Sequence, residues 1–243
     1  MYKKILLELI SSILFISLVF SFSSCKKSEK ATVVETNACF KIHQYGKKVI
    51  AAIPEKSITL YATNQTDEVY KGIMLEYLGN QKQFAWECVT NTTYPPKLML
   101  CDLNNDKTDE LLIILTKNCS TSSFISEAHI IKLPDIEEEK IISPLSIINE
   151  NVQTMLDKDN ITISYKNSNF TMKTEKLLNT NESLYENIHF GNIIDYSVQN
   201  NKLKAEVSAQ ITNTKCVGSI VITYMYSDGK YVLDDLSFKA QNN

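Results

Sequence analysis

The segment KLMLCDLNNDKTDELLIILT, residues 97–116, sets two short apolar runs, Lys97 to Cys101 and Leu111 to Leu115, on either side of a polar turn. Both runs are too short for amphipathic helices, and their boundaries are rich in Asp and Asn, so the segment predicts strand, loop, strand. The same pattern extends outward in both directions. Apolar runs of strand length recur at 57–62, 69–77, 82–88, 97–102, 110–116 and 127–132, then at 161–166, 169–174, 193–198, 203–212, 217–226 and 231–239. Turn chemistry joins three pairs into hairpins: Gly79-Asn80, Asn167-Ser168 and Ser227-Asp228-Gly229. One segment differs. Ser143-Pro144 precedes Leu145, Ile148, Val152, Met155 and Leu156, spaced three to four apart, and this predicts a helix over 144–157 with Ser143 as N-cap and proline in its first turn. The expected class is mainly β, with antiparallel sheets in a divergent or partial propeller-like or sandwich arrangement and one or two short helices. The β-rich domain spans 41–243, with sub-blocks 41–133 and 160–243 joined by that helix. The acidic stretch Asp135 to Glu139 before it reads as a solvated loop, with a metal-attracting patch as the alternative.

The N-terminus carries a different signal. Lys3 and Lys4 precede an apolar run from Ile5 to Phe22, and Ser23-Ser24-Cys25 closes it. This is the plan of a secretory signal. Small residues ahead of a cysteine resemble the bacterial lipobox, and that resemblance implies cleavage after Ser24 and acylation of Cys25, so residues 1–24 are an expected lipoprotein signal peptide. Residues 25–40, the lipidated cysteine and a polar stretch beginning Lys26-Lys27-Ser28-Glu29-Lys30, read as a flexible tether. The expected location is the outer face of the cell membrane, held there by the lipid anchor, or free secretion if the anchor is absent.

All 25 basic residues are lysine, so no guanidinium is available for bidentate clamping of phosphate or carboxylate. The net charge of −3 falls to about −4 once the signal segment is removed, and a nucleic-acid partner is not expected. Beyond Cys25 stand Cys39, Cys88, Cys101, Cys119 and Cys216, an odd number without CxxC spacing. They read as small buried apolar residues or as one disulfide with a remainder.

The turn inside 97–116 is the one motif that carries chemistry. Asp102, Asn104, Asp106 and Glu110 fall at positions 1, 3, 5 and 9 of a loop, with the Thr108 carbonyl at position 7. Alternate residues of such a loop can turn inward around one hard cation, and six to eight oxygens in tolerant geometry suit Ca²⁺. Only the first half is EF-hand-like, because position 12 is Ile113 and the flanks are strand-like. Strand, Asp-x-Asn-x-Asp loop, acidic residue at nine, strand resembles the calcium loop of FG-GAP and VCBS-type repeats. That resemblance implies Ca²⁺ held by Asp102, Asn104, Asp106 and Glu110 with the Thr108 carbonyl; Lys107 stands where the family usually has glycine. Phe84-Ala85-Trp86, Ser126-Glu127-Ala128-His129, Phe190-Gly191-Asn192-Ile193-Ile194 and Asp228-Gly229-Lys230-Tyr231 extend the similarity over about 55–240. The chain in this respect resembles uncharacterised VCBS-like lipoproteins and secreted proteins of low-GC Gram-positive bacteria.

His43, His129 and His189 sit in no recognisable nucleophile or metal motif. His129, beside Glu127, is the first to test. The sequence therefore points to a non-enzymatic, membrane-anchored surface lipoprotein with a Ca²⁺-stabilised β domain that binds an unknown protein, glycan or other envelope component. An envelope hydrolase acting on glycan or peptide, and a purely structural surface protein, are the alternatives.

Overall fold

The computed structural model describes residues 46–174 and 183–241, all within one unit, residues 41–243. The signal segment, the tether, Cys25, Cys39 and His43 lie outside the described residues. The protein is mainly β, as the sequence predicts. Four antiparallel strands form the first sheet in chain order: β1 (Lys48–Ile53), β2 (Ile58–Thr66), β3 (Val69–Tyr77) and β4 (Asn80–Val89). Then come β5 (Lys97–Cys101), β6 (Glu110–Cys119), β7 (Phe124–Lys132), β8 (Glu137–Ile141) and the helix α1 (Pro144–Asn151). A small sheet of β9 (Val152–Leu156), β10 (Asn160–Tyr165) and β11 (Ser168–Lys173) follows, with β10 in the middle. The chain ends in β12 (His189–Gln199), β13 (Lys202–Gln210), β14 (Cys216–Ser227) and β15 (Lys230–Ala240).

The third sheet runs β12-β13-β14-β15-β8-β7-β6-β5, and β12 also pairs back onto β7. Six strands, β7, β8 and β12 to β15, therefore close into a ring. Closure satisfies edges that an open sheet would leave to solvent or to another chain. Two parallel joints make it, β15 on β8 and β12 on β7, while the remaining neighbours are antiparallel. β6 and β5 continue from the other edge of β7.

The run Leu111 to Leu115 explains how two layers share one wall. Side chains alternate across a strand, and here Leu111, Ile113 and Leu115 pack with Ile58, Leu60, Ile73 and Trp86 of the first sheet. Leu112 and Ile114 belong to the second core, with Val207, Ile220, Ile222 and Tyr224 of the ring strands. A strand buried on both faces has no polar positions to spare, hence the unbroken apolar run.

Two expectations are corrected. The helix ends at Asn151 rather than 157, and 152–156 is strand β9. Val152 and Leu156, four apart, share a face in either conformation. Met155, which only a helix would bring to that face, is 53% exposed. The acidic stretch read as a loop supplies β8, which bridges β7 and β15. On either side of the helix, β5 to β8 and β12 to β15 share one sheet. No helix among the described residues is long and apolar enough to cross a membrane.

Candidate functional site

Two places bring functional side chains together, the 102–110 loop and a seam in the ring wall. In the loop, β5 and β6 pair up to Cys101 and Glu110, so the residues between must reverse the chain. Asn105 and Lys107 adopt left-handed conformations, with φ of 63° and 71°. The expected strain at Lys107 is therefore real, on the order of 1 kcal/mol, and a dense set of side-chain to backbone hydrogen bonds opposes it. Asp102 accepts from the amides of Asp106 at 3.1 Å and Lys107 at 3.0 Å. Asn104 Oδ1 accepts from Asp106 N at 2.8 Å, and Asp106 Oδ1 from Thr108 N at 2.7 Å. Glu110, only 2% exposed, accepts from Leu103 N at 2.9 Å.

The four predicted oxygen-bearing side chains thus turn into one loop, with Thr108 contributing its N–H to Asp106. Two of them, Glu110 and Asp106, share a partner in the Asn104 amide nitrogen, which donates to Glu110 Oε1 at 2.8 Å and Asp106 Oδ2 at 3.1 Å. In this conformation the amide NH₂ occupies the position of a positive partner between two carboxylates. Among the described residues no group of three or more His, Cys, Asp or Glu side chains is disposed to hold a metal. The loop is closed on itself. Its donor chemistry still fits a hard cation: rotating the Asn104 amide would present oxygen alone, and a cation would take over the role of the NH₂.

The surrounding charge favours that exchange. Burial pushes the Glu110 carboxyl up from its ordinary range, the Leu103 amide pulls it back, and the neighbouring carboxylates of Glu139 and Asp106 push it up again. Asp106 is held low, first by the Thr108 amide and then by Asn104. Glu139, from β8, has a buried Oε2 without a hydrogen-bond partner among the described residues.

The seam arises because β6 occupies one edge of β7 along its length, while β12 and β8 divide the other. β12 takes Phe124 and Ile125, and β8 takes Ile130 to Lys132. Between them, Ser126 Oγ donates to Ile194 O at 3.0 Å and accepts from Tyr196 N at 3.1 Å. Beyond Ser126 the wall opens into two cavities of about 400 and 350 Å³, which share Glu127, Ala128 and Ile141 in their linings. His129 lines the larger. Its ring stacks on Trp86 at 4.0 Å between centroids, and Trp86 stacks on Phe84 at 3.9 Å. Nδ1 is 2.7 Å from Glu138 Oε1. Nε2 lies 3.8 Å from Glu127 Oε2 and is buried without a hydrogen-bond partner among the described residues. Lys117 Nζ stands 3.2 Å from the same Glu127 oxygen.

No protein-family model, curated protein or solved structure matches this chain. The chemistry of these two places is therefore the basis for a functional reading. His189 packs its ring on Tyr185 at 4.4 Å and joins neither place. Glu138 lies in the acidic stretch read as a solvated loop or a metal-attracting patch, and nothing in the sequence pairs it with His129, nine residues away on a different strand. Cys88, Cys101, Cys119 and Cys216 are free thiols. Burial pushes Cys88 and Cys101 up to about 11, which makes them poor nucleophiles and metal ligands at neutral pH.

Proposed function

We propose that this chain is an exported surface protein, anchored through an acylated Cys25, whose non-enzymatic β domain binds a partner or envelope component and takes one Ca²⁺ in the Asp102 to Glu110 loop. The observation that carries the reading is the convergence of Asp102, Asn104, Asp106 and Glu110 in a single turn, with Glu110 buried among other carboxylates. Gathered negative charge at low dielectric is costly without a cation. Extracellular Ca²⁺ modules work at dissociation constants of roughly 10⁻⁴–10⁻³ M, so even a weak site would fill outside a cell. Asp102, Asn104, Asp106 and Glu110 would hold the ion through side-chain oxygens and Thr108 through its carbonyl, stiffening the link between β5 and β6.

Calorimetry and thermal melting of the protein, with Ca²⁺ and with a chelator, test this. Saturable binding and a Ca²⁺-dependent rise in Tm are expected, and Asp102→Ala combined with Asp106→Ala should remove both. Absence of binding at millimolar Ca²⁺ would end the calcium part of the proposal. Mass spectrometry of the mature N-terminus tests the anchor separately, the expected product beginning at an acylated Cys25.

The envelope-hydrolase reading has one observation in its favour, the His129–Glu138 pair beside a cavity. Among the described residues no hydroxyl or thiol is hydrogen-bonded to His129 Nε2, so the pair lacks a positioned nucleophile. Binding is the better account for that reason. Hydrolysis of a glycan or peptide panel that is lost in His129→Gln would reverse the preference.

A further inference from the structure

The seam offers a site that does not depend on the calcium loop. His129 is 5% exposed, and its Nδ1 faces the Glu138 carboxylate at 2.7 Å. A carboxylate can only accept, so in the neutral ring the proton sits on Nδ1 and the Nε2 lone pair is free. That lone pair looks across 3.8 Å to Glu127 Oε2, too far for a hydrogen bond, and it has no other hydrogen-bond partner among the described residues. A buried polar atom left in this way calls for an occupant. Zinc bonds to imidazole nitrogen at about 2.0–2.1 Å and to carboxylate oxygen at about 2.0–2.2 Å, so two such ligands at a tetrahedral angle lie roughly 3.3–3.5 Å apart. The observed 3.8 Å is a few tenths of an ångström wider, a difference that a small rotation of the half-exposed Glu127 side chain closes. Histidines that bind metals almost always donate their other ring N–H to a carboxylate or carbonyl, and Glu138 already fills that role.

We propose that the cavity lined by β7 and β8 binds a divalent transition-metal cation of the Zn²⁺ class through His129 Nε2 and the Glu127 carboxylate, with Glu138 as the positioning residue that fixes the imidazole. Water or an exogenous ligand completes the coordination from the cavity of about 400 Å³. Lys117, whose ammonium lies 3.2 Å from Glu127 Oε2, competes with the ion for the carboxylate. Its side chain is 32% exposed and free to swing into solvent.

The single tryptophan of the chain, Trp86, stacks on His129, so its emission responds to an ion bound at that ring. Titration of the full chain with Co²⁺, which quenches tryptophan emission on close approach, should give a saturable loss of fluorescence that Zn²⁺ reverses by competition and excess Ca²⁺ does not. A lost ligand costs at least as much as a lost outer-shell partner, roughly ten- to a hundredfold in affinity. Glu127→Gln, on a half-exposed side chain that leaves the fold intact, should shift the midpoint by that factor, and Glu138→Gln should do likewise. Lys117→Gln should tighten binding by about two- to fivefold, the effect of a partly exposed ion pair removed. No saturable change in Trp86 emission below millimolar metal would overturn the proposal, as would a midpoint indifferent to Glu127→Gln. Zn²⁺ binding that survives Asp102→Ala with Asp106→Ala separates this site from the calcium loop.

Discussion

Glu110 is the residue on which the loop's chemistry turns, because it joins a buried carboxylate to the backbone of Leu103 and the amide of Asn104. Its carboxyl is raised by burial in the folded protein, so the folded state holds the proton more tightly than the unfolded chain does. The ionised group therefore lowers stability fully above its folded pKa. The penalty fades as pH falls through that value and is gone below the unfolded value near 4.3. In a chelator, the stability difference between the wild-type protein and Glu110→Gln should move in favour of the wild type as pH is lowered from 7 to 4. Chemical unfolding at a series of pH values reads this directly, and a difference constant with pH would show that Glu110 carries no burial penalty. With Ca²⁺ present at pH 7 the comparison should change character. The wild type gains stability from the ion and Glu110→Gln gains little, because the substitution removes a charged ligand.

At the scale of elements, the joint of β12 on β7 that closes the ring is short and hangs on one hydroxyl. β12 and β7 share only the pairs Ile193–Phe124 and Ile194–Ile125, and Ser126 then ties Ile194 O and Tyr196 N across the seam from a buried position. Ser126→Ala leaves both backbone groups without that partner, a loss of about 1–3 kcal/mol. Urea unfolding should show it as a lower midpoint with an unchanged slope, whereas Ser123→Ala, whose hydroxyl serves Asn118 at an exposed turn, should change little. Local chemistry made most of the other joints legible in the sequence. The turn read at Gly79-Asn80 falls one residue earlier, at Leu78-Gly79, and like Asp228-Gly229 it is left-handed at both central positions of a tight hairpin, the conformation for which Gly is favoured. Illegible were the elements whose character comes from distant partners. β8 is Glu-Glu-Glu-Lys-Ile, a poor strand by propensity, held because β7 and β15 flank it. β9 carries apolar residues at a spacing common to helix and strand. The calcium-type loop could be read because its residues are contiguous, and so could His129 with Glu127 on one strand, whereas Trp86 and Glu138 reach that ring from two other strands.

The whole molecule has two hydrophobic cores on opposite faces of one wall, and that arrangement makes a specific demand on its unfolding. Ile113 belongs to the core beneath the first sheet and Ile114 to the core shared with the ring strands, and both are buried. They are adjacent on β6, so neither core can lose its side of the wall while the other keeps the strand. Truncating either to alanine removes three methyl or methylene groups from a packed interior, a loss of roughly 2–5 kcal/mol. If the wall couples the cores, Ile113→Ala and Ile114→Ala should each shift a single transition. Trp86 emission, which reports on the first-sheet core, should then move together with the far-ultraviolet signal of all the strands. If the cores were independent, Ile113→Ala would advance the Trp86 transition and leave the ring behind, and Ile114→Ala would do the reverse. The shared strand argues for the first outcome, because separating the cores would expose the unbroken run Leu111 to Leu115 on one face without releasing the chain entropy that unfolding requires.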